Sequence, residues 1–141
     1  MRSSAISRAI SAVSGVRLLD IDAGADTNRA VYTFVGTPDA VSEAAFRGAV
    51  EAASLIDMSK HQGAHPRMGA LDVCPIVPVS GVTMDQCVEA ARTLGRRLAE
   101  ALALPVYFYE NAATRPGRRN LADIRAGEYE GLRQKLADPA W

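Results

Sequence analysis

The stretch that decides the fold is VRLLDIDAGADTNRAVYTFVG, residues 16–36. Its two ends, VRLLDID (Val16–Asp22) and RAVYTFVG (Arg29–Gly36), are rich in the β-branched and aromatic residues that favour strands. The residues between them are polar and include a glycine, which is typical of a tight turn. The sequence therefore predicts two strands joined by a polar turn.

Helices are predicted on both sides of these strands, at residues 4–14, 38–57 and 83–102. The first shows apolar residues at helical spacing and is expected to stop before Gly15. The second begins with Thr37 at the N-cap and Pro38 at the first helical position, and Thr83 can cap the third. The tail, which contains NLADIRAG and EYEGLRQKL, is expected to form one or two short surface helices.

Two further segments complete the prediction. LDVCPIVPVSGV (71–82) contains prolines at 75 and 78, which confine it to an edge strand or an irregular extended segment, and PVYFYE (105–110) is predicted to be a strand. Helices and strands alternate without strict βαβ regularity. We therefore expect an α+β fold, a two-layer, ferredoxin-like sandwich of a mixed β-sheet with helices on one face.

Composition places the chain in a broad class. Its 141 residues fit a single domain, 1–141, and its 16 basic and 16 acidic residues give no net positive field for a nucleic acid. No apolar run approaches the roughly 20 residues that cross a bilayer, so we expect a cytoplasmic protein without a membrane partner. Cys74 and Cys87 are not spaced as a metal or redox motif, and we expect reduced core thiols.

The segment SKHQGAHPRMGA contains the only histidines, His61 and His65, beside an arginine. Histidine titrates near neutrality and often serves as a general acid or base. A spacing of four residues suits a metal on a helix, but Gly63 and Pro66 disfavour a helix and no third ligand accompanies the pair. A surface or capping role remains the alternative. These residues alone indicate only an enzyme or binding domain with a histidine- and arginine-containing loop.

Several blocks of the chain closely resemble the amino-terminal subdomain of the formiminotransferase family. They occur in the family's order and together cover nearly the whole chain. The blocks are LLDIDAGADTNRAVYTFVG (18–36), LIDMSKHQGAHPRMGALDVCPIVPVSGVT (55–83), LPVYFYENAA (104–113) and IRAGEYEGL (124–132).

The resemblance implies transfer of the formimino group from N-formimino-glutamate to tetrahydrofolate, in one-carbon metabolism and histidine degradation. Tetrahydrofolate would be the co-substrate, and no metal is implied. The second histidine of the family's HxGxHPRMG motif is the catalytic one, which implies that role for His65. A neutral imidazole can remove one proton and deliver another, typically for a rate factor of about 10²–10⁴.

The resemblance also suggests that Asp22 lies near the catalytic site, where it would orient the imidazole, although an aspartate before Gly24 also suits a turn. A bidentate fork from Arg67 can bind a carboxylate of glutamate or of the folate tail. Lys60, Arg118 and Arg119 are weaker candidates for that work. The expected substrate-binding residues are Asp22, Asn28, Arg29, His61, Arg67, Met68 and Gly69.

Family members normally begin with a strand that carries a CVPNFSEG-like motif and continue through a PDFGP-like linker into a second subdomain. Both are expected to be absent here. Two hypotheses follow: a transferase half that acts with a separate second subdomain, or a stand-alone non-catalytic protein that keeps the fold for folate binding or oligomerisation. Because an unfilled sheet edge recruits partners, we also expect a homo-oligomer.

Overall fold

One β-hairpin and five α-helices make up the main regular structure of residues 2–141, which are the residues that the computed structural model describes. Short 3₁₀ turns occupy part of the connections. The elements in chain order are α1 (Arg2–Ser11), β1 (Val16–Gly24), β2 (Arg29–Gly36), α2 (Pro38–Leu55), α3 (Met84–Leu102), α4 (Leu121–Arg125) and α5 (Leu132–Ala137).

The predicted strand pair is present as an antiparallel hairpin. Val16 pairs with Gly36 at its open end and Gly24 with Arg29 at its tip, and the register shifts between Leu18 and Asp20. The expectation that the sheet is mixed is wrong. β1 and β2 form the only sheet among residues 2–141, and these two strands are antiparallel. A mixed sheet needs a parallel neighbour, and neither of the other predicted strand segments pairs with the hairpin.

Helices α1 and α2 cover one face of the hairpin and close the first hydrophobic core. The buried side chains come from both helices and the turn after α1, and half-buried strand residues pack against them. The fully or nearly buried members are Ile6, Ile10, Val13, Ala44 and Ala52. This arrangement confirms the α+β class and the packing of helices against one face of the strands.

Helix α3 packs on α2 and closes a second core around Ala49, Leu94 and Leu98. Its start carries a reciprocal capping box: the Thr83 hydroxyl accepts from the backbone N–H of Gln86, and the Gln86 side chain accepts from the backbone N–H of Thr83. The predicted cap at Thr83 is therefore confirmed. Thr37 occupies the N-cap position of α2, as predicted, but its side chain makes no capping bond.

Residues 72–79 and 103–109 are irregular segments that pack against the second core without joining a sheet. For LDVCPIVPVSGV this confirms the irregular alternative, since Pro75 and Pro78 have no N–H to donate. For PVYFYE the predicted strand is wrong. Its residue types favour a strand, but a strand also needs a paired backbone, and no described strand lies beside this segment.

The predicted tail helices are α4 and α5, and they are less superficial than expected. Ile124 is only 2% exposed, and Lys135 is buried. The Lys135 ammonium donates to the carbonyls of Ile124 and Ala126 and lies 4.5 Å from the ring centre of Trp141. The lysine thereby caps the C-terminal end of α4 and ties α5 to it.

Candidate active site

The tip of the hairpin docks on the histidine loop, residues 60–67. The Asn28 side chain donates to the Gln62 carbonyl over 2.7 Å, and the backbone N–H of Ala64 donates to the Asp26 carbonyl over 3.2 Å. Gly63 lies so close to the tip that an added Cβ would come within 2.4 Å of the Thr27 carbonyl oxygen. The missing side chain of Gly63 is what permits this approach.

His65 is bound by Arg29, the residue that opens β2. A guanidinium nitrogen of Arg29 lies 2.7 Å from Nε2 of the His65 ring. Because arginine can only donate, Nε2 must be the acceptor, and a neutral His65 therefore carries its proton on Nδ1. The structure brings these two candidate residues together, although they are 36 positions apart in the chain.

His61 is held at both ring nitrogens. Its Nε2 donates to the Asn28 carbonyl over 2.8 Å, and its Nδ1 accepts from Nε of Arg67 over 3.2 Å. These two bonds define the Nε2–H tautomer of His61. Both ring nitrogens of His61 thus bind the chain itself, whereas His65 has a described partner at Nε2 only.

Arg67, which donates to the His61 ring, is the most deeply buried cation among these hydrogen-bonded residues, with a side chain that is 12% exposed. Its fork binds both carboxylate oxygens of Glu130, at 2.8 and 2.9 Å, and one of its nitrogens also lies 3.3 Å from a Glu128 oxygen. The hydrogen bonds that Arg67 donates to Glu130, followed by the charges of both glutamates, raise the pKa of Arg67 above its ordinary value. Two further bonds reach the His61 ring and carbonyl.

Met68 and Gly69 follow the histidine loop and line the wall of a cavity of about 620 Å³. The backbone N–H of Met68 donates to Asp72, whose other oxygen lies 2.5 Å from the Arg125 guanidinium. This half-buried ion pair ties the segment to α4. The cavity itself lies between α2, α3 and the two irregular segments, and its lining is largely apolar.

His65 does not line this cavity, and neither do His61 and Arg67. The histidine loop and the cavity are neighbouring features joined through Met68 and Gly69. The titratable and cationic side chains converge in the loop, whereas the cavity offers volume and apolar surface.

The remaining predicted residues lie elsewhere. Asp22 is an exposed residue within β1, paired with Val31, so the turn alternative is wrong. No hydrogen bond joins Asp22 to a histidine among residues 2–141. Lys60 pairs weakly with Asp57 at 3.5 Å, and Arg118 lies over the Tyr107 ring. Neither basic residue belongs to the network around His65.

Sequence reasoning missed two acidic residues, Glu128 and Glu130, which hold Arg67 from the turn between α4 and α5. The signal was in the block IRAGEYEGL, where two carboxylates flank a tyrosine. That pattern was interpreted as part of a surface helix. In the structure, residues 127–131 form a turn that aims both carboxylates at the histidine loop.

Within the described part of the chain no group of three or more histidine, cysteine or carboxylate side chains is placed to hold a metal ion. None of the described helices has the length and hydropathy needed to cross a membrane.

Comparison with known sequences places this geometry in a family. The sequence profile of the formiminotransferase domain, N-terminal subdomain, matches residues 3–141. The chain belongs to this family. The formiminotransferase motif HQGAHPRMG contains both histidines and the arginine of the network described above.

Relatives from animals and microorganisms share this formiminotransferase region. The chain is 60% identical over 137 residues to a formimidoyltransferase-cyclodeaminase of Mus musculus, a match that covers 97% of this chain and 25% of the relative. It is 46% identical to a glutamate formimidoyltransferase of Streptococcus pyogenes serotype M1, covering 92% of this chain and 43% of the relative. The corresponding values for a glutamate formimidoyltransferase of Thermoplasma acidophilum are 44%, 94% and 45%. The chain thus spans less than half the length of these relatives.

Proposed function

We propose that this chain supplies the histidine-bearing part of a formiminotransferase that moves a formimino group from N-formimino-glutamate to tetrahydrofolate, in one-carbon metabolism and histidine degradation. The observation that carries the proposal is the contact between Arg29 and Nε2 of His65 in the loop that bears the family motif. It joins a proton-carrying group to a group that binds carboxylates. N-formimino-glutamate contains both an amidine and carboxylates.

The chemistry needs two proton transfers. N5 of tetrahydrofolate attacks the amidine carbon and forms a C–N bond, and N5 gives up its proton. The bond between that carbon and the glutamate nitrogen then breaks, and the departing nitrogen takes up a proton. The overall exchange leaves formimino-tetrahydrofolate and glutamate, and His65 can both accept the first proton and deliver the second.

Arg29 decides when His65 can accept. While the guanidinium donates to Nε2, the ring can give its Nδ1 proton but cannot take one at Nε2. A substrate carboxylate is a better partner for a guanidinium than a neutral imidazole, because both groups of the pair are then charged. We propose that Arg29 turns to the glutamate carboxylate and leaves the His65 lone pair available.

Arg67 is less suited to that task than the sequence suggested. Its donors are already used by Glu128, Glu130 and His61. We therefore assign the carboxylate-binding role primarily to Arg29, with Asn28 beside it at the hairpin tip. Met68 and Gly69 border a cavity whose volume falls within the usual range for small-molecule sites, about 300–1,000 Å³, and this supports a substrate-binding role for them.

The transfer is proposed for this chain together with a further subdomain. Residues 72–79 and 103–109 leave backbone groups without partners in any described strand, beside the open apolar cavity. Such surfaces recruit a covering segment. We propose that 1–141 is a single subdomain of a cytoplasmic enzyme and that a second subdomain or a second copy covers this side.

The second candidate function is non-catalytic folate binding or oligomerisation, and the same cavity favours it. Calorimetric titration with tetrahydrofolate and with formimino-glutamate, separately and together, distinguishes the candidates when combined with turnover. Binding of folate without turnover, even after the second subdomain is added, would favour the binding protein.

The direct test is His65→Ala in a competent preparation, meaning this chain supplemented with the second subdomain if the chain alone is inactive. We expect turnover to fall by about 10²-fold or more, because a proton carrier is lost. His61→Ala serves as the matched control and should reduce turnover less. Wild-type turnover in the His65 variant would contradict the catalytic assignment.

A further inference from the structure

Glu130 lies in the turn between α4 and α5 and binds Arg67 through both carboxylate oxygens, Oε1 at 2.8 Å and Oε2 at 2.9 Å. The carboxylate is 67% exposed, while the Arg67 side chain is only 12% exposed. Glu130 therefore approaches from solvent and closes over the outer end of a largely buried guanidinium.

One main-chain contact and one contact from the Glu128 carboxylate keep this turn against the loop. The backbone N–H of Tyr129 donates to the Arg67 carbonyl over 3.0 Å, and the backbone N–H of Arg67 donates to Glu128 over 3.3 Å. Both contacts are made by the residues just before Glu130, and neither involves its own side chain. Loss of the Glu130 carboxylate should change the guanidinium without detaching the turn.

The guanidinium joins Glu130 to His61 through two edges of one rigid plane. Its terminal nitrogens bind Glu130, while Nε and one terminal nitrogen bind the ring Nδ1 and the carbonyl of His61, at 3.2 and 3.3 Å. Because the group is planar, rotation that breaks one pair of bonds also breaks the other. The carboxylate consequently fixes the direction of the Nε–H bond towards His61.

His61 passes this constraint to the hairpin tip. With Nδ1 accepting from Arg67, its proton stays on Nε2 and is donated to the Asn28 carbonyl. The next residue is Arg29, whose guanidinium binds His65. A continuous path of hydrogen bonds and one peptide unit thus leads from Glu130 to the proposed catalytic histidine.

We propose that Glu130 is a positioning residue: through Arg67 it holds His61 in the Nε2–H tautomer and so sets the hairpin tip that presents Arg29 to His65. The inference deepens the proposed function and rests on it for its kinetic part only. A surface ion pair contributes little to stability, so the role of Glu130 lies in the geometry that it imposes on Arg67. Arg67 lowers the pKa of Glu130 to about 2, and the carboxylate stays ionised at neutral pH.

The first test is nitrogen-15 NMR of the histidine rings in this chain, which needs no turnover. The wild type should show His61 as a single Nε2–H tautomer. In Glu130→Gln, which cannot form the charged fork, the Nδ1–H form of His61 should become populated and the His65 signals should shift. Glu100→Gln is the matched control, since Glu100 is exposed on α3 and has no described hydrogen bond or ion pair. It should leave both rings unchanged.

An unchanged His61 spectrum in Glu130→Gln would overturn the proposal. If that variant does not fold, Glu130→Asp gives the second measurement, because its carboxylate is one methylene short of the fork. Partial mixing of His61 tautomers would support the proposal, and full retention of one tautomer would contradict it.

The kinetic test uses the competent preparation described above. Glu130→Gln should lower kcat by about 10-fold with KM for formimino-glutamate changed less than about 2-fold, since displacement of a reacting group by about 1 Å can cost up to about 10²-fold in rate. Arg67→Lys should lower kcat by a similar factor, and the double variant should be no slower than the slower single variant. If the losses in kcat of the two single variants instead multiply in the double variant, Glu130 does not act through Arg67. Absence of turnover in the wild type would contradict the proposed function. The NMR result alone would then decide whether Glu130 positions His61.

Discussion

The histidine loop and the two irregular segments satisfy their polar groups in different ways. The loop has its histidine rings, its amide groups and its arginine bound to the hairpin tip and to the turn after α4. Residues 72–79 and 103–109 pack apolar side chains on α3, but no described strand pairs with their backbone. The loop thus finds its polar partners within this chain, whereas the backbone of the segments has no partner in a described strand.

This difference separates two ways of encoding structure. The loop is specified by contacts between a few residues of special type, such as a glycine that allows close approach and an arginine that binds several acceptors. The segments are specified by apolar side chains that face a cavity of about 620 Å³. Substitutions should therefore cost more folding stability in the loop than beside the cavity. A thiol beside the cavity should in turn react slowly, because its surroundings are apolar.

The largest expected effect is on the alkylation rate of Cys74, which lines the cavity. Burial raises the pKa of its thiol from 9.0 to about 11. Because the thiolate is the nucleophile, alkylation at about pH 8 should be roughly a hundredfold slower in the folded chain than in the chain unfolded by urea. The measurement uses a Cys87→Ala variant, so that one thiol reports. A rate that levels off near pH 9 in the folded protein would show that Cys74 is not in an apolar environment.

Gly63→Ala should be the most destabilising of three glycine substitutions. Its Cβ would lie 2.4 Å from the Thr27 carbonyl oxygen and 3.0 Å from Cβ of Asn28, and the first contact is with backbone that cannot move without opening the hairpin tip. Overpacking of this kind typically costs about 1–3 kcal/mol, and we expect the upper part of that range in urea denaturation.

Gly95→Ala tests the same kind of contact beside the cavity. Its Cβ would meet the Phe108 ring at 2.5 Å, but Phe108 borders the cavity and can turn into it. Replacing a helical glycine by alanine also gains about 1 kcal/mol, so the net change should be close to zero. Gly117→Ala, with nothing within 4 Å, is the control. Equal losses at Gly63 and Gly95 would remove the proposed contrast between the regions.

The sequence was sufficient where local patterns decide the structure. β-Branched and aromatic residues predicted the strands of the hairpin, and Thr83 predicted the start of α3. It failed for PVYFYE, because strand-forming residues make a strand only if another strand lies beside them. Strand pairing depends on other parts of the chain, so the composition of one segment cannot predict it.

The candidate site shows the same limit. The motif identified His61, His65 and Arg67 together, and the structure brings Arg29 to them from the hairpin. The two acidic partners of Arg67 lie more than 60 positions away in the chain, and their block IRAGEYEGL does not show which residue they bind. Only the fold shows that this arginine is already bound.

Asn28 offers a smaller effect that separates backbone from side-chain contributions. Its φ of 47° lies in the left-handed region, and its side chain donates to the Gln62 carbonyl. Asn28→Ala removes the hydrogen bond and keeps the strain, so we expect a loss of about 1–2 kcal/mol. Asn28→Gly relieves the strain and should lose less. Thermal denaturation measures both. Because both variants lack the side-chain bond, a larger loss for glycine would mean that a φ of 47° does not strain alanine at this position.

The smallest expected effect concerns acid. Arg67 lowers the pKa of Glu130 to about 2 from 4.5, first through their hydrogen bond. A carboxyl with a depressed pKa in the folded state contributes stability that is complete above its unfolded pKa and is lost as the pH falls through its folded pKa. The contribution of Glu130 should therefore decline between about pH 4.5 and about pH 2. Because the carboxylate is exposed, salt should screen the interaction and the change in stability should be slight.

Carbon-13 NMR of the Glu130 carboxyl should find it still ionised at about pH 3.5, where a free glutamate is mostly protonated. In Arg67→Lys, which cannot form the fork, the midpoint should rise towards the ordinary value. A wild-type midpoint near 4.5 would mean that Glu130 does not hold Arg67, and the histidine loop would then lack the outer contact that makes it more complete than the segments beside the cavity.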